Sequence, residues 1–462
     1  MAHSQPNILF IMTDHQRADS LGMVQAGIEI TPNLNHLADR GAVFTRAYTS
    51  CPLCVPARTS LATGKYPTRT GVVCNGGNGL QAGNHKPIHQ WLHETGYEVG
   101  HIGVDHIRLN PSLQERVEFS TWIGRKEYVD FLAKQGTEDA PQDRMLFKKK
   151  VIEWQGTEPV ERAFSNVRTG PSSHSSECFL DSYYCKCAEE FINEPREKPF
   201  ALFVYLWAPH PPLRVPKPYA SRFDPASIEL PPNVGVVSEN EPPGRRKGVP
   251  AQLAESVTMD EWRDAWAAHL GLVNLADAGI CRILETLEVS GQTDNTTVLF
   301  TSDHGDHLGQ HSMYQKMEMY EQAINVPLIL SGPRIKSQVV NTPVSHLDVL
   351  PTLLEYVGIN IPEDLDGISL LESLESGAPL PERTVFSQFS GNHAKGDIRR
   401  AAITRRYKHV YDPMDEPELY DLAVDPLEMN NLASEPASEP IVRRLHEECK
   451  TWAQRTDDWV AF

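Results

Sequence analysis

The chain has 462 residues, 40% of them hydrophobic and 23% charged, with a formal net charge of −18. That length supports a sizeable core in one large or two unequal domains. The acidic balance argues against nucleic acid or an anionic membrane surface as a partner, and an anionic substrate would need a locally basic pocket.

Cysteine usage points the same way. Of eight cysteines, Cys51 and Cys54 form one C-x-x-C, and no second pair stands at zinc-finger spacing, so no structural zinc site is expected. Met1-Ala2-His3-Ser4-Gln5-Pro6 runs into an apolar stretch without a basic segment and leader, and no apolar run is expected to be long enough to cross a bilayer. The expectation is a cytoplasmic chain with reduced thiols and no membrane partner.

Asn7–Met12 is a continuous apolar run, the pattern of a buried parallel strand, and it stops at Thr13-Asp14-His15. A helix is expected over 31–40, opened by Thr31-Pro32 and closed by Gly41. Cys51 to Lys65 reads as a turn running into a short helix, with Pro56 in its first turn and Gly64 at its end. Cys54 then sits at a helix N-terminus, where free N–H groups and the helix dipole favour an anion or a thiolate. Arg58, one turn on, adds a planar fork suited to sulfate or phosphate oxygens. A passive core cysteine, or a redox pair with Cys51, remains open on these residues alone.

Residues 88–95 suit a helix, and 96–103 a strand leading to Asp105-His106. Residues 107–190 show little regular pattern. A buried strand over 199–207 ends at Ala208-Pro209-His210, and the proline-rich, charged 211–250 reads as a long surface loop or lid. Apolar residues at helical spacing run from Glu261 to Leu287. Thr296–Phe300 is a strand ending in Thr301-Ser302-Asp303-His304-Gly305, 326–330 another strand, and 348–356 a helix. This alternation predicts an α/β fold, a large mostly parallel mixed sheet flanked by helices. From about Pro379 the pattern changes to short strands (384–388, 400–404, 408–411) and an amphipathic helix near 441–452. The expected division is 1–378 as the α/β catalytic domain and 379–462 as a smaller C-terminal α+β subdomain.

Four apolar strands therefore end at Asp14-His15, His106, His210 and Asp303-His304. In open parallel sheets ligands bind outside the carboxyl ends of the strands, so the four ends point to one shared site. Asp14 and Asp303 are natural ligands for a divalent cation. The glycines in Asp303-His304-Gly305-Asp306-His307-Leu308-Gly309 favour a tight loop close to a ligand, with Lys316 reaching back toward it.

With Asn7–Phe10…Asp14, Cys54-Val55-Pro56-Ala57-Arg58, Leu61-Ala62-Thr63-Gly64-Lys65-Tyr66-Pro67, Ala208-Pro209-His210, Ser302-Asp303-His304-Gly305, Lys316 and Glu418–Leu422…Asp425-Pro426, the chain resembles a type I sulfatase of the alkaline-phosphatase superfamily. The resemblance runs from about residue 7 to about residue 432. It implies that Cys54 is oxidised to formylglycine by a formylglycine-generating enzyme and that the hydrate is the nucleophile. Asp14, Cys54, Asp303 and His304 would hold one metal ion, usually Ca²⁺. Arg58 and Lys316 would bind the sulfate or the hydrate, and His210 would protonate the leaving alcohol with help from Lys316. His106 would take the proton that lets the sulfated hydrate return to aldehyde.

Two departures stand out. His15 occupies the place of the family's second metal-binding aspartate; an imidazole is a poor match for Ca²⁺ and turns the expectation toward weak or no ligation, or toward Mn²⁺. Gly103-Val104-Asp105-His106 lacks the lysine of the family's Gly-Lys-x-His, leaving Arg108, Lys65 or Asn75, in the glycine-rich stretch 74–79, as candidate replacements. Arg214, with Trp207 and Tyr219, is a candidate wall for the organic half of the substrate. The leading expectation is hydrolysis of a small sulfate ester, with a sugar sulfate favoured. A phosphonate monoester or phosphodiester hydrolase with the same nucleophile is the alternative, and a non-catalytic sulfated-sugar binder is a third.

Overall fold

The computed structural model describes residues 5–76, 82–138 and 144–462; Gly77, Asn78 and Gly79 of the glycine-rich stretch lie outside them. In chain order the strands that matter here are β1 (Asn7–Asp14), β2 (Ala42–Phe44), β3 (Glu98–Gly103) and β4 (Thr121–Ile123). A hairpin of β5 (Lys148–Gln155) and β6 (Glu158–Ser165) follows, then β7 (Phe200–Pro209), β8 (Thr296–Ser302), β9 (Leu328–Ser331) and β10 (Gln338–Val340). Eight of these form one sheet in the order β10-β2-β9-β8-β1-β7-β3-β4. β1 pairs in parallel with both β7 and β8, and β9 alone reverses, pairing antiparallel with β8 and β2.

Every residue of β1 is buried, as a strand covered on both faces requires. Ile8, Phe10 and Met12 face a layer containing Leu61, Ile88, Leu92 and Leu350, whereas Leu9 and Ile11 face the opposite layer. That second layer includes α2 (Leu180–Asn193) and α3 (Met259–Val289), and the first includes α1 (Cys54–Thr63). α3 corrects one expectation. Its 31 residues reach the length and mean hydropathy (1.3) of a membrane span, but 72% of that window is buried inside the fold. It packs as a core helix.

The C-terminal part forms a four-stranded antiparallel sheet, β11 (Val385–Ser390), β12 (Ile398–Ile403), β13 (Tyr407–Tyr411) and β14 (Glu418–Asp421). α4 (Glu439–Arg455) lies against it through Leu445, Cys449 and Trp452, which meet Phe386, Ala402 and Leu419. The expected lid over 211–250 is pinned at one end. Arg245 is 1% exposed and ion-pairs with Glu418 and, at 3.0 Å, with Asp412. The stretch 107–190 is also more regular than its pattern predicts, holding the β5–β6 hairpin and the start of α2.

Candidate active site

The carboxyl ends of β1, β3, β7 and β8 lie side by side, because all four run the same way in neighbouring places of the sheet. Asp14 closes β1, Asp303 follows β8, and a backbone hydrogen bond from Asp303 N–H to Thr13 O (3.2 Å) ties the two ends together. Both aspartates and His304 are 0% exposed. Gly305 allows this turn, since a Cβ there would lie 2.0 Å from Gln322 O.

α1 starts at Cys54 and ends at Gly64, whose φ of 65° is the left-handed cap that glycine favours. Its first turn is aimed at the strand ends. Cys54 Sγ lies 2.9 Å from Lys316 Nζ, 3.2 Å from His304 Nε2 and 3.8 Å from Asp14 Oδ1. Arg58 donates through Nε to Asp303 Oδ2 and through Nη2 to Asp14 Oδ2, each at 2.8 Å, while its buried Nη1 has no partner among the described residues.

The electrostatics correct the thiolate expectation. Burial, then the charge of Asp14, push the Cys54 thiol up to about 12, despite the helix N-terminus and Lys316. Burial works against the Lys316 ammonium, but Cys54, Asp14 and Asp303 outweigh it and hold it charged. Burial and the charge of Asp303 raise Asp14; Asp303 goes the other way, because His304, Arg58 and Lys316 overcome its burial. Burial depresses His304 and His106 to about 3 and His210 well below its ordinary value.

The buried carboxylates invite a cation. Asp14, Cys54, Asp303 and His304 offer ligand atoms all within 4.8 Å of one another, and so do Asp14, His15, Cys54 and His210. Two carboxylates with one imidazole suit a hard or borderline divalent ion, and Arg58 and Lys316 alone leave Asp14 raised. The residues present therefore fit a metal site.

His15 is held in an unusual way. Its φ of 67° lies in the left-handed region, which costs a non-glycine residue roughly 1–2 kcal/mol. Its Nδ1 meets Asp306 Oδ2 at 2.7 Å, so Nε2 faces Lys316 Nζ, also at 2.7 Å. Asp306 is the residue whose part the chain order hides, for its Oδ1 also accepts from Leu308 N–H and Gln315 N–H. Asp306→Ala is expected to lose about 2–4 kcal/mol in urea unfolding, because those donors and the imidazole lose their partner. Asp306→Asn is expected to keep most of that stability yet lower kcat about 10–100-fold, since the amide no longer selects the His15 tautomer.

His210 follows β7, where Asp181 Oδ1 accepts from Trp207 N–H (2.6 Å) and Ala208 N–H (3.0 Å). Its ring packs on Trp207 with centroids 3.9 Å apart, and its Nδ1 hydrogen-bonds Pro211 O. His106 is largely buried, with Nδ1 unpartnered among the described residues.

The candidate replacements for the missing lysine divide differently. Lys65 is corrected outright: it lies past the far end of α1 and ion-pairs with Asp364 at 2.7 Å. Asn75 turns to the protein, accepting from Val55 N–H (3.2 Å) and donating to Asn392 Oδ1 (2.8 Å). Arg108 is exposed, with its backbone N–H on Thr59 Oγ1, and Arg214 lies over Phe147. The geometry gives neither arginine a place among the buried side chains around Cys54. Cys51 is a second buried free thiol, not bridged to Cys54.

Comparison with known proteins bears on the whole chain. The Sulfatase family model matches residues 6–359, and the model for the C-terminal part of N-sulphoglucosamine sulphohydrolase matches 309–455. A choline-sulfatase of Rhizobium meliloti is 29% identical over 94% of this chain and 84% of its own length. The multifunctional alkaline phosphatase superfamily protein PehA of Trinickia caryophylli is 28% identical, covering 97% of this chain and 95% of its own. In structure, the phosphonate monoester hydrolase of Agrobacterium radiobacter superposes with a TM-score of 0.80 at 24% identity, covering 98% of this chain and 96% of that one. That likeness establishes the alkaline-phosphatase-like fold.

Proposed function

The chain belongs to the sulfatase family, and on that premise we propose that it hydrolyses a small organic sulfate ester, a sugar sulfate above all, at the cluster around Cys54. One observation carries the reading. A thiol pushed up to about 12 is a poor nucleophile, yet it stands where Lys316 Nζ, the unpartnered Arg58 Nη1 and two buried carboxylates converge. Such surroundings suit a cysteine that is the precursor of the working group.

Formylglycine made from Cys54 would supply a hydrate oxygen as nucleophile, and a divalent ion, Ca²⁺ or Mn²⁺, on Asp14, Asp303 and His304 would neutralise charge beside it. The chain's own residues do the rest. Arg58 and Lys316 match the two carboxylates in formal charge, so a divalent ion would leave a positive excess. This supplies the basic pocket that an anionic ester needs in a protein of net charge −18. Arg58 Nη1 and Lys316 Nζ take the sulfate oxygens and stabilise them as negative charge grows. Lys316, held charged, supplies the proton for the leaving oxygen, and the neutral His210, with a ring nitrogen within 4.8 Å of the Cys54, Asp14 and His15 ligand atoms, relays it. His106, neutral and with Nδ1 unpartnered, accepts the proton of the second step.

A second reading is favoured by His15, which removes one negative charge from the metal surroundings and so changes which dianionic transition state is best balanced. The relative named multifunctional and the phosphonate monoester hydrolase fold keep that chemistry in view. The test uses protein co-expressed with a formylglycine-generating enzyme, whose intact mass should show the sulfur and two hydrogens of Cys54 lost and one oxygen gained. Matched aryl sulfate and aryl phosphonate monoesters are then compared by kcat/KM. Preference for the sulfate is expected; a large preference for the phosphonate would sink the sulfatase reading.

A further inference from the structure

We propose that His393, oriented by Glu153, determines specificity by accepting a hydrogen bond from a hydroxyl group on the alcohol half of the substrate. This deepens the sulfatase reading and rests on it. The loop between β11 and β12 carries His393, and it is fastened to the flank of the nucleophile. Asn75 N–H donates to Asn392 O at 2.6 Å, Asn75 Nδ2 donates to Asn392 Oδ1 at 2.8 Å, and Asn75 Oδ1 accepts from Val55 N–H beside Cys54. The approach is close, for a Cβ on Gly76 would stand 2.3 Å from His393 O. A narrow cleft beside the start of this loop is lined by Glu153, Trp154, Gly391, Asn392 and Met317, and Met317 directly follows Lys316, whose Nζ touches Cys54 Sγ.

Glu153 comes from β5 and turns both of its oxygens to His393. Its Oε1 accepts from His393 N–H and its Oε2 meets His393 Nδ1, both at 2.7 Å, and Arg162 Nε balances the charge at 3.0 Å. The carboxylate side chain is 5% exposed, the imidazole 42%. Fastening the loop needs only the bond to the backbone N–H. The second oxygen does something different: it accepts a hydrogen bond from Nδ1–H, which in the neutral imidazole puts the lone pair on Nε2, across the ring from the carboxylate. A buried acid spent on orienting an exposed imidazole is the arrangement of a binding residue. An Nε2 acceptor matches a hydroxyl donor, so the substrate half it reads is a polyol or sugar rather than a plain aryl or alkyl group.

The experiment measures kcat and KM of formylglycine-bearing enzyme on the 6-sulfates of glucose, galactose and N-acetylglucosamine, beside n-hexyl sulfate and 4-nitrophenyl sulfate. His393→Ala is expected to lower kcat/KM on the best hydroxylated ester about tenfold, chiefly through KM, and to change the two esters without hydroxyls less than about twofold. His393→Gln, which keeps an acceptor, should recover part of the loss. Equal losses on both classes would make His393 a structural tie and overturn the proposal, as would no loss on either, or a wild-type preference for n-hexyl sulfate. An enzyme that cleaves no sulfate but cleaves phosphonate monoesters would instead fail the sulfatase reading. His393 would then be judged by the same ratio on the glyceryl and propyl monoesters of phenylphosphonate.

Discussion

On the proposed mechanism, Cys54→Ala protein is expected to fold normally and to lose at least about 10⁴-fold in kcat/KM, because alanine has no thiol to be oxidised to the aldehyde whose hydrate would attack. Unmodified wild-type protein, with Cys54 still a thiol, should be equally inert. With Cys54 only 4% exposed and its thiol pushed up to about 12, almost no thiolate exists at neutral pH to attack a sulfur or phosphorus centre. The alanine variant forfeits only the packing of one small side chain, at roughly 1 kcal/mol, so thermal unfolding should barely move. The decisive measurement plots turnover against the fraction of chains that carry the mass change at Cys54. A line through the origin is expected. Full activity in chains that retain the thiol would return Cys54 to a direct nucleophile and remove the need for the modification.

What the sequence makes legible follows from how each feature is written along the chain. Strands covered on both faces are unbroken apolar runs, so β1, β7 and β8 announce themselves, and the abrupt Asp-His endings mark the edge where they converge. Strand direction is not written in such runs, which is why the reversal of β9 emerges only from its pairing with β8 and β2. The β5–β6 hairpin is hidden for a different reason: Lys148-Lys149-Lys150, Glu153 and Arg162 interrupt its apolar alternation. Lys65 is near the site in sequence, but a helix of ten residues carries it roughly 15 Å from Cys54. The least legible features are single polar contacts between distant parts of the chain. His15 meets Asp306 across 291 positions and Glu153 meets His393 across 240, and no periodicity prepares for either. Those contacts orient side chains, and so they decide chemistry more than fold.

Arg58→Ala is expected to cost about 3–5 kcal/mol of stability as well as activity, since it strands two fully buried carboxylates. In the wild type Nε serves Asp303 and Nη2 serves Asp14 from one rigid plane, with both side chains 0% exposed. Arg58→Lys should rescue little, because one ammonium cannot span both carboxylates as the fork does. The sign of the pH dependence tests the cause. Burial and Asp303 already raise Asp14 above its unfolded value, and loss of Arg58 removes an opposing charge. The folded variant then binds more protons than the unfolded chain between the ordinary carboxylate range and neutrality. Its stability is present in mild acid and is lost as pH rises through the raised Asp14 value. A divalent ion should reverse this by replacing the missing charge, stabilising the variant in proportion to the logarithm of its concentration above Kd. Thermal unfolding of Arg58→Ala in mild acid and mild base, with chelator and with added Ca²⁺ or Mn²⁺, reads all three effects. A variant that melts like the wild type in every condition would mean that Arg58 does not neutralise the pair, and the metal reading would lose its electrostatic ground.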